Sequence, residues 1–128
     1  YLQKKINNKS KCVKNFLMDQ SIIAGIGNIY ASEILHRANI NPLRTVDKLR
    51  KEHLKSIIDA TKFILKMSIN VGGTSIRNHL QPNGKLGYFV QKLQVYGKNK
   101  QKCNRCKNLI SVINISNRST YFCSYCQA

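Results

Sequence analysis

Acidic residues are scarce in this chain. Only 5 Asp and Glu stand against 22 Lys and Arg, a formal net charge of +17. The acids are Asp19, Glu33, Asp47, Glu52 and Asp59; beyond Asp59 there is none, while eleven bases follow. So one-sided a charge strains a folded state by self-repulsion unless a polyanion lies against it. Nucleic acid is the polyanion that fits. An anionic membrane fits less well, because no strongly basic amphipathic helix stands out.

Other absences narrow the field further. No apolar run is long enough to span a bilayer. Residues 1–15 are lysine-rich with no apolar stretch behind them, so nothing there reads as a secretory signal. Paired carboxylates, a Ser-His-Asp arrangement and a P-loop are all missing, which leaves no catalytic constellation within the chain. His36, His53 and His79 are scattered and read as surface or packing residues. The chain opens on Tyr1 rather than Met, as an excised domain or a fragment would. Its 128 residues, 42% of them hydrophobic, suffice for one compact domain or two small ones with a modest core.

What is present is chemically specific. Cys103-Asn-Arg-Cys106 is followed, after sixteen residues, by Cys123-Ser-Tyr-Cys126. Each pair can hold two sulfurs on one tight turn, and the intervening segment can run out and back as a β-hairpin. The spacing fits the template for one zinc ion bound by Cys103, Cys106, Cys123 and Cys126. Two disulfides or four unlinked thiols are the alternatives. Four protein ligands leave no open coordination position, so the metal is structural. The fifth cysteine, Cys12, reads as a buried thiol. Zinc thiolates together with a free cysteine point to a reducing, intracellular compartment.

The pattern predicts a mainly α fold in two parts. Residues 1–91 read as a helical domain and residues 92–128 as a small C-terminal β-hairpin zinc finger. The junction falls near Tyr96-Gly97, where Lys98, Lys100 and Lys102 lead into the first cysteine pair. Residues 1–9 can extend an incoming helix, and residues 10–17 form another. Asn28 is placed to cap a helix over 29–38, with Ala31, Ile34, Leu35 and Ala38 on one face and Pro42 preventing its continuation. The strongest periodicity runs over 46–70, where Leu54, Ile57, Ile58, Thr61, Ile64, Leu65 and Ile69 recur at helical spacing. Thr45 can cap that helix, Asp47 suits its first turn, and Gly72-Gly73 ends it. Residues 74–90 hold a helical turn and a loop. Residues 110–115 and 120–123 are the hairpin strands.

Three groups of residues suggest a polyanion site. Gly25-Ile26-Gly27-Asn28 precedes a helix whose amides can meet a phosphate, although a sterically required helix–helix turn explains the glycines equally well. Lys14, with Lys9 and Lys11, can reach phosphates or simply form a solvated face. Arg118, two residues before the second strand, is a rigid probe able to enter a groove or fork a phosphate, or an ordinary surface arginine.

Several of these stretches closely resemble one family. Residues 16–35, FLMDQSIIAGIGNIYASEIL, are similar to the helix–two-turn–helix segment of the formamidopyrimidine/endonuclease VIII superfamily of DNA glycosylases. So are GGT at 72–74, GKLGYF at 84–89, LQVYG at 93–97 and the finger sequence RSTYFC at 118–123. The GKLGYF loop points to the formamidopyrimidine branch. The resemblance implies a base-excision-repair glycosylase and abasic-site lyase that removes oxidised purines such as 8-oxoguanine and formamidopyrimidines. It implies duplex DNA with oxidised purines or abasic sites as partner, and no membrane. The family's nucleophile is an N-terminal proline amine, assisted by a glutamate and a lysine in a preceding β-sandwich domain. This chain then corresponds to the C-terminal DNA-binding half and is expected to be inactive alone. By the same resemblance Asn28, Lys14 and Tyr96 bind phosphates and Arg118 grips the kinked backbone. Residues 74–88 become a lesion-capping loop, with the Thr74 carbonyl and the amides from Ile76 through Arg77 and Asn78 to His79 facing the damaged base. A freestanding zinc-ribbon module that binds nucleic acid without catalysis is the competing expectation.

Overall fold

The computed structural model describes residues 11–19, 27–70 and 92–127, with the side chains of 68–70 excepted. The described elements are helix α1 (Val13–Asp19), helix α2 (Gly27–Ala38), a 3-10 turn (Val46–Lys48), helix α3 (Lys51–Asn70), and strands β1 (Ser111–Ile115) and β2 (Arg118–Phe122). The fold is thus mainly helical, closed by one antiparallel hairpin. The expected helical turn within 74–90 and the helix over 1–9 lie outside the described residues.

Helix α2 is the centre of the molecule. It packs against α1, α3 and β2 at once. That is why Tyr30, Ala31, Ile34 and Leu35 are buried, and why three polar residues, Ser32, Glu33 and His36, are buried with them. A helix covered on several sides has little solvent face left for polar side chains, so each polar one needs an internal partner. The main core joins Val13 and Phe16 of α1, Tyr30, Ile34 and Leu35 of α2, Ile57, Ala60 and Ile64 of α3, and Ile40, Val46 and Leu93 from the connections. Complete burial of a side chain such as Leu35 is worth about 1.5–3 kcal/mol.

Several boundaries differ from the sequence expectation, each for a local reason. α1 begins at Val13 rather than at residue 10, because Cys12 is held in an isolated bridge to Thr45. Cys12 itself is half-buried, not buried. α2 takes in Gly27 and Asn28, so Asn28 sits inside the first turn instead of capping it. The helix ends well before Pro42. Asn39 turns left-handed (φ 62), its N–H reaches the His36 carbonyl at 3.2 Å, and the Ile40 N–H reaches the Leu35 carbonyl at 3.0 Å. That pair of bonds is the Schellman arrangement, with asparagine in the place usually taken by glycine.

The long helix starts at Lys51, not at Val46. Leu49 is extended (ψ 136), which breaks the periodic run. Thr45 makes no side-chain cap to the 3-10 turn. Instead His53 reaches back, its Nδ1 accepting the Arg50 N–H at 3.0 Å, much as a capping-box glutamate would. Of the expected apolar face, Leu54, Ile57 and Ile64 are buried, whereas Ile58 is 40% exposed and Ala60 takes its place. In the hairpin, β1 starts one residue later than expected and β2 two residues earlier, with Ile115 opposite Arg118. Ser116 and Asn117 form the two-residue turn, both with positive φ (52 and 67). That geometry matches the right-handed twist of the strands.

Candidate metal centre and nucleic-acid interface

The four cysteines of the finger converge. Their Sγ atoms all lie within 4.8 Å of one another. Cys103 and Cys126 sulfurs are 3.9 Å apart, and Cys106 and Cys123 sulfurs 3.4 Å. A zinc–sulfur bond of about 2.3 Å places tetrahedral ligands about 3.8 Å apart, so the cage has the right size. The two knuckles are built alike. The Lys107 N–H bonds the Cys103 carbonyl at 2.9 Å, and the Gln127 N–H bonds the Cys123 carbonyl at 2.9 Å. Each turn thereby holds both sulfurs of its pair on one side.

The thiols are electrostatically frustrated without a cation. A hydrogen bond from the Asn108 side chain draws Cys106 down to about 6. Burial and the neighbouring sulfurs push Cys126 up to about 12. One thiolate therefore forms readily and makes the next harder to form, until a dication inverts the balance. The four sulfurs are the ligands of one structural zinc ion. It contributes folding energy and no reactive position.

The finger is bolted to the helical body by buried polar contacts. The Glu33 carboxylate accepts three successive backbone N–H groups, from Gln94 (2.7 Å), Val95 (2.9 Å) and Tyr96 (2.8 Å). Burial pushes the Glu33 carboxyl above its ordinary range, and the three amides, with Lys98, pull it back down. Gln127 spans the other knuckle: its Oε1 accepts the Cys123 N–H at 2.8 Å and its Nε2 donates to the Ile40 carbonyl at 2.9 Å. Asn15 Nδ2 donates to Ser116 Oγ at 3.1 Å, and Asn28 Nδ2 donates to the Ser119 carbonyl at 3.1 Å. These contacts fix the hairpin turn and β2 over α1 and α2. Neither Glu33 nor Gln127 was singled out by sequence. The one available hint was an acid set in a helix otherwise rich in apolar residues.

Of the expected contact residues, Lys14 lies within reach of the Arg118 charge, and Asn28 is tied next to Arg118 through the Ser119 carbonyl. Lys14 is not on a solvated face. It is fully buried, and among the described residues its Nζ has no hydrogen-bond partner. Burial lowers its pKa first, and the charge of Arg118 lowers it further. Arg118 is exposed at the first position of β2. Asn28 Oδ1 is likewise buried with no partner among the described residues. The Tyr96 ring stands edge-on to Tyr121 of β2 at 4.9 Å. Thr74, Ile76, Arg77, Asn78 and His79 lie outside the described residues, as do Gly25 and Ile26. Among the described residues no helix is long and apolar enough to cross a membrane.

An unpaired buried cation is a burden on the free protein. Lys14→Met is therefore expected to raise stability at neutral pH by on the order of 1 kcal/mol. The sign with pH follows from the lowered pKa. Between that value and 10.5 the unfolded chain holds a proton the folded chain has shed, so the burden is greatest at lower pH and fades as pH climbs to 10.5. Urea unfolding of both forms across pH 7 to 10 measures the convergence.

A mainly helical body closed by a four-thiolate hairpin finger defines a zinc-finger protein. Comparison with known proteins gives the family. The model for the formamidopyrimidine-DNA glycosylase H2TH domain matches residues 1–79, and that for the zinc finger found in FPG and IleRS matches residues 100–128. The chain belongs to the formamidopyrimidine-DNA glycosylase H2TH-domain family. It is 45% identical over 127 residues to the formamidopyrimidine-DNA glycosylase of Yersinia enterocolitica and 43% identical to that of Xanthomonas campestris, covering 99% of this chain and 47% of each relative. The chain thus spans about half the length of these curated relatives. The Lactococcus lactis Fpg in complex with abasic-site DNA superposes with a TM-score of 0.82 at 35% identity, over 97% of this chain and 45% of that one. MutM in complex with carbocyclic 8-oxo-G DNA gives 0.81 at 37% identity over 97% and 45%.

Proposed function

We propose that this chain is the DNA-gripping, C-terminal portion of a bifunctional glycosylase and abasic-site lyase that removes oxidised purines, working inside the cell. The proline nucleophile and its helpers belong to a domain outside this chain. One observation carries the reading: the buried Lys14 ammonium, without a hydrogen-bond partner among the described residues, lies close enough to the exposed Arg118 guanidinium for the two charges to repel. Two cations with no carboxylate between them among the described residues call for an external anion, and the net charge of +17 extends the call over the whole chain.

In this reading Arg118 and Asn28 take backbone phosphates at the surface while Lys14 adds its charge from beneath. Tyr96, fixed through its own amide by Glu33, supplies a further phosphate contact. The helical part, residues 1–91, and the finger, residues 92–128, then grip the duplex from two sides. Holding the backbone without reading bases suits a protein that must scan any sequence. The grip offsets the few kcal/mol needed to kink the duplex and swing a base out of the stack. By resemblance, Thr74, Ile76, Arg77, Asn78 and His79 cover the extruded base. Relatives held on abasic-site and 8-oxo-G DNA support the choice of partner.

Fluorescence polarisation tests the proposal. The chain is expected to bind duplex DNA at low salt and to discriminate an abasic analogue only when the missing domain is supplied. Indifference to DNA at low ionic strength would sink it. Borohydride trapping with abasic DNA is expected to give no adduct with this chain; an adduct would put the nucleophile here. Arg118→Ala is expected to weaken binding on all sequences and to reduce the salt slope by about 1. An unchanged slope rules out a phosphate contact at Arg118.

A further inference from the structure

We propose that His36 donates its Nε2–H to the Cys103 thiolate and is a positioning residue of the metal centre, orienting that ligand and offsetting part of its charge. The ring nitrogen lies 3.6 Å from Cys103 Sγ, in buried surroundings. A metal-bound thiolate has no proton to give, so the bridging hydrogen must come from the imidazole. The ring then carries its proton on Nε2 and leaves Nδ1 bare.

The need for such a donor follows from charge. A dication held by four thiolates keeps a net negative charge, and Cys103 and Cys123 are completely buried. Neighbouring sulfurs have donors from their own knuckles: the Cys126 N–H points at Cys123 Sγ at 3.4 Å, and the Asn108 side chain serves Cys106. Cys103 likewise takes the amides of Arg105 and Cys106 from its own knuckle, and in addition a side-chain donor reaches it from outside the finger, from α2. The same residue of α2 is held a second time. Its carbonyl accepts Arg105 Nη2 at 2.6 Å, and Arg105 stands between Cys103 and Cys106. Two contacts from one knuckle thus converge on His36, one through its ring and one through its backbone. The backbone contact survives any substitution, so the ring can be tested alone.

The test uses the full chain loaded with cobalt(II), comparing the natural protein with His36→Phe and His36→Gln. Phenylalanine keeps a flat ring and removes the donor; glutamine restores an N–H. An N–H bond to sulfur holds its lone pairs lower in energy. His36→Phe is therefore expected to move the thiolate-to-cobalt charge-transfer band to lower energy and to weaken metal affinity about 10–100-fold in chelator competition. His36→Gln is expected to recover most of both. A folded His36→Phe protein with unchanged band and affinity would overturn the proposal. Should His36→Phe fail to fold, 15N shifts of the His36 ring in the zinc-loaded natural protein decide the matter. Protonation at Nε2 supports the proposal, and protonation at Nδ1 defeats it.

Discussion

Stripping zinc with a strong chelator is expected to erase amide-hydrogen protection through residues 92–127, before α1 and α3 lose theirs. Among the described residues the finger's own buried cluster is Val95, Cys103, Ile110 and Cys123, with Cys106, Tyr121 and Cys126 half-buried against it. A two-stranded hairpin over so small a core does not hold itself together in water. The metal therefore supplies most of the local folding energy, about 10 kcal/mol or more for structural zinc sites. Hydrogen exchange with and without chelator measures the loss, and added zinc should reverse it. Persistent protection in β1 and β2 of metal-free, reduced protein would refute the structural role of zinc. The damage should then spread into α2, since Glu33, His36 and the Ile40 carbonyl all lose partners in the finger.

Glu33→Ala is expected to be the most harmful single substitution outside the cysteines. It leaves the amides of Gln94, Val95 and Tyr96 facing a void, one unmet donor after another. At about 1–3 kcal/mol for each buried unpaired amide, the expected loss is on the order of 3 kcal/mol or more. That is a large share of the roughly 5–15 kcal/mol that holds a domain folded. Glu33→Gln separates the contributions. Its single amide oxygen can still serve Val95 and Tyr96, as Glu33 Oε2 does, while its NH2 opposes the Gln94 N–H. A loss well below that of alanine is expected. Guanidinium unfolding of the zinc-loaded variants measures both. If Glu33→Ala costs under about 1 kcal/mol, water is meeting the amides and the carboxylate is not a structural clamp.

The metal cage was legible because four thiolates at fixed spacing have few other uses, and the charge was legible because it is a property of composition. Element types could be read from periodicity, but their ends could not. The true start of α3 depends on His53 capping Arg50, and the true end of α2 on Asn39 turning left-handed; neither leaves a mark in apolar spacing. Lys14 reads as surface in any local window. Its burial and its nearness to Arg118, about a hundred residues on, are properties of the tertiary fold. Likewise His36 reads as a surface or packing residue, since nothing in the sequence says that Cys103 will lie beside it. What escaped the sequence is the set of long-range polar pairings, each made by residues with ordinary local patterns.

Helix α2 carries Asn28 in its first turn, Glu33 at its middle and His36 in its last, over 12 residues. At about 1.5 Å rise per residue the helix is a ruler of fixed length and pitch. Inserting or deleting a single residue within it would swing one graduation about 100° away from the others. The spacing between the thiolate cage and the Asn28 end of the helix is therefore written in whole helical turns.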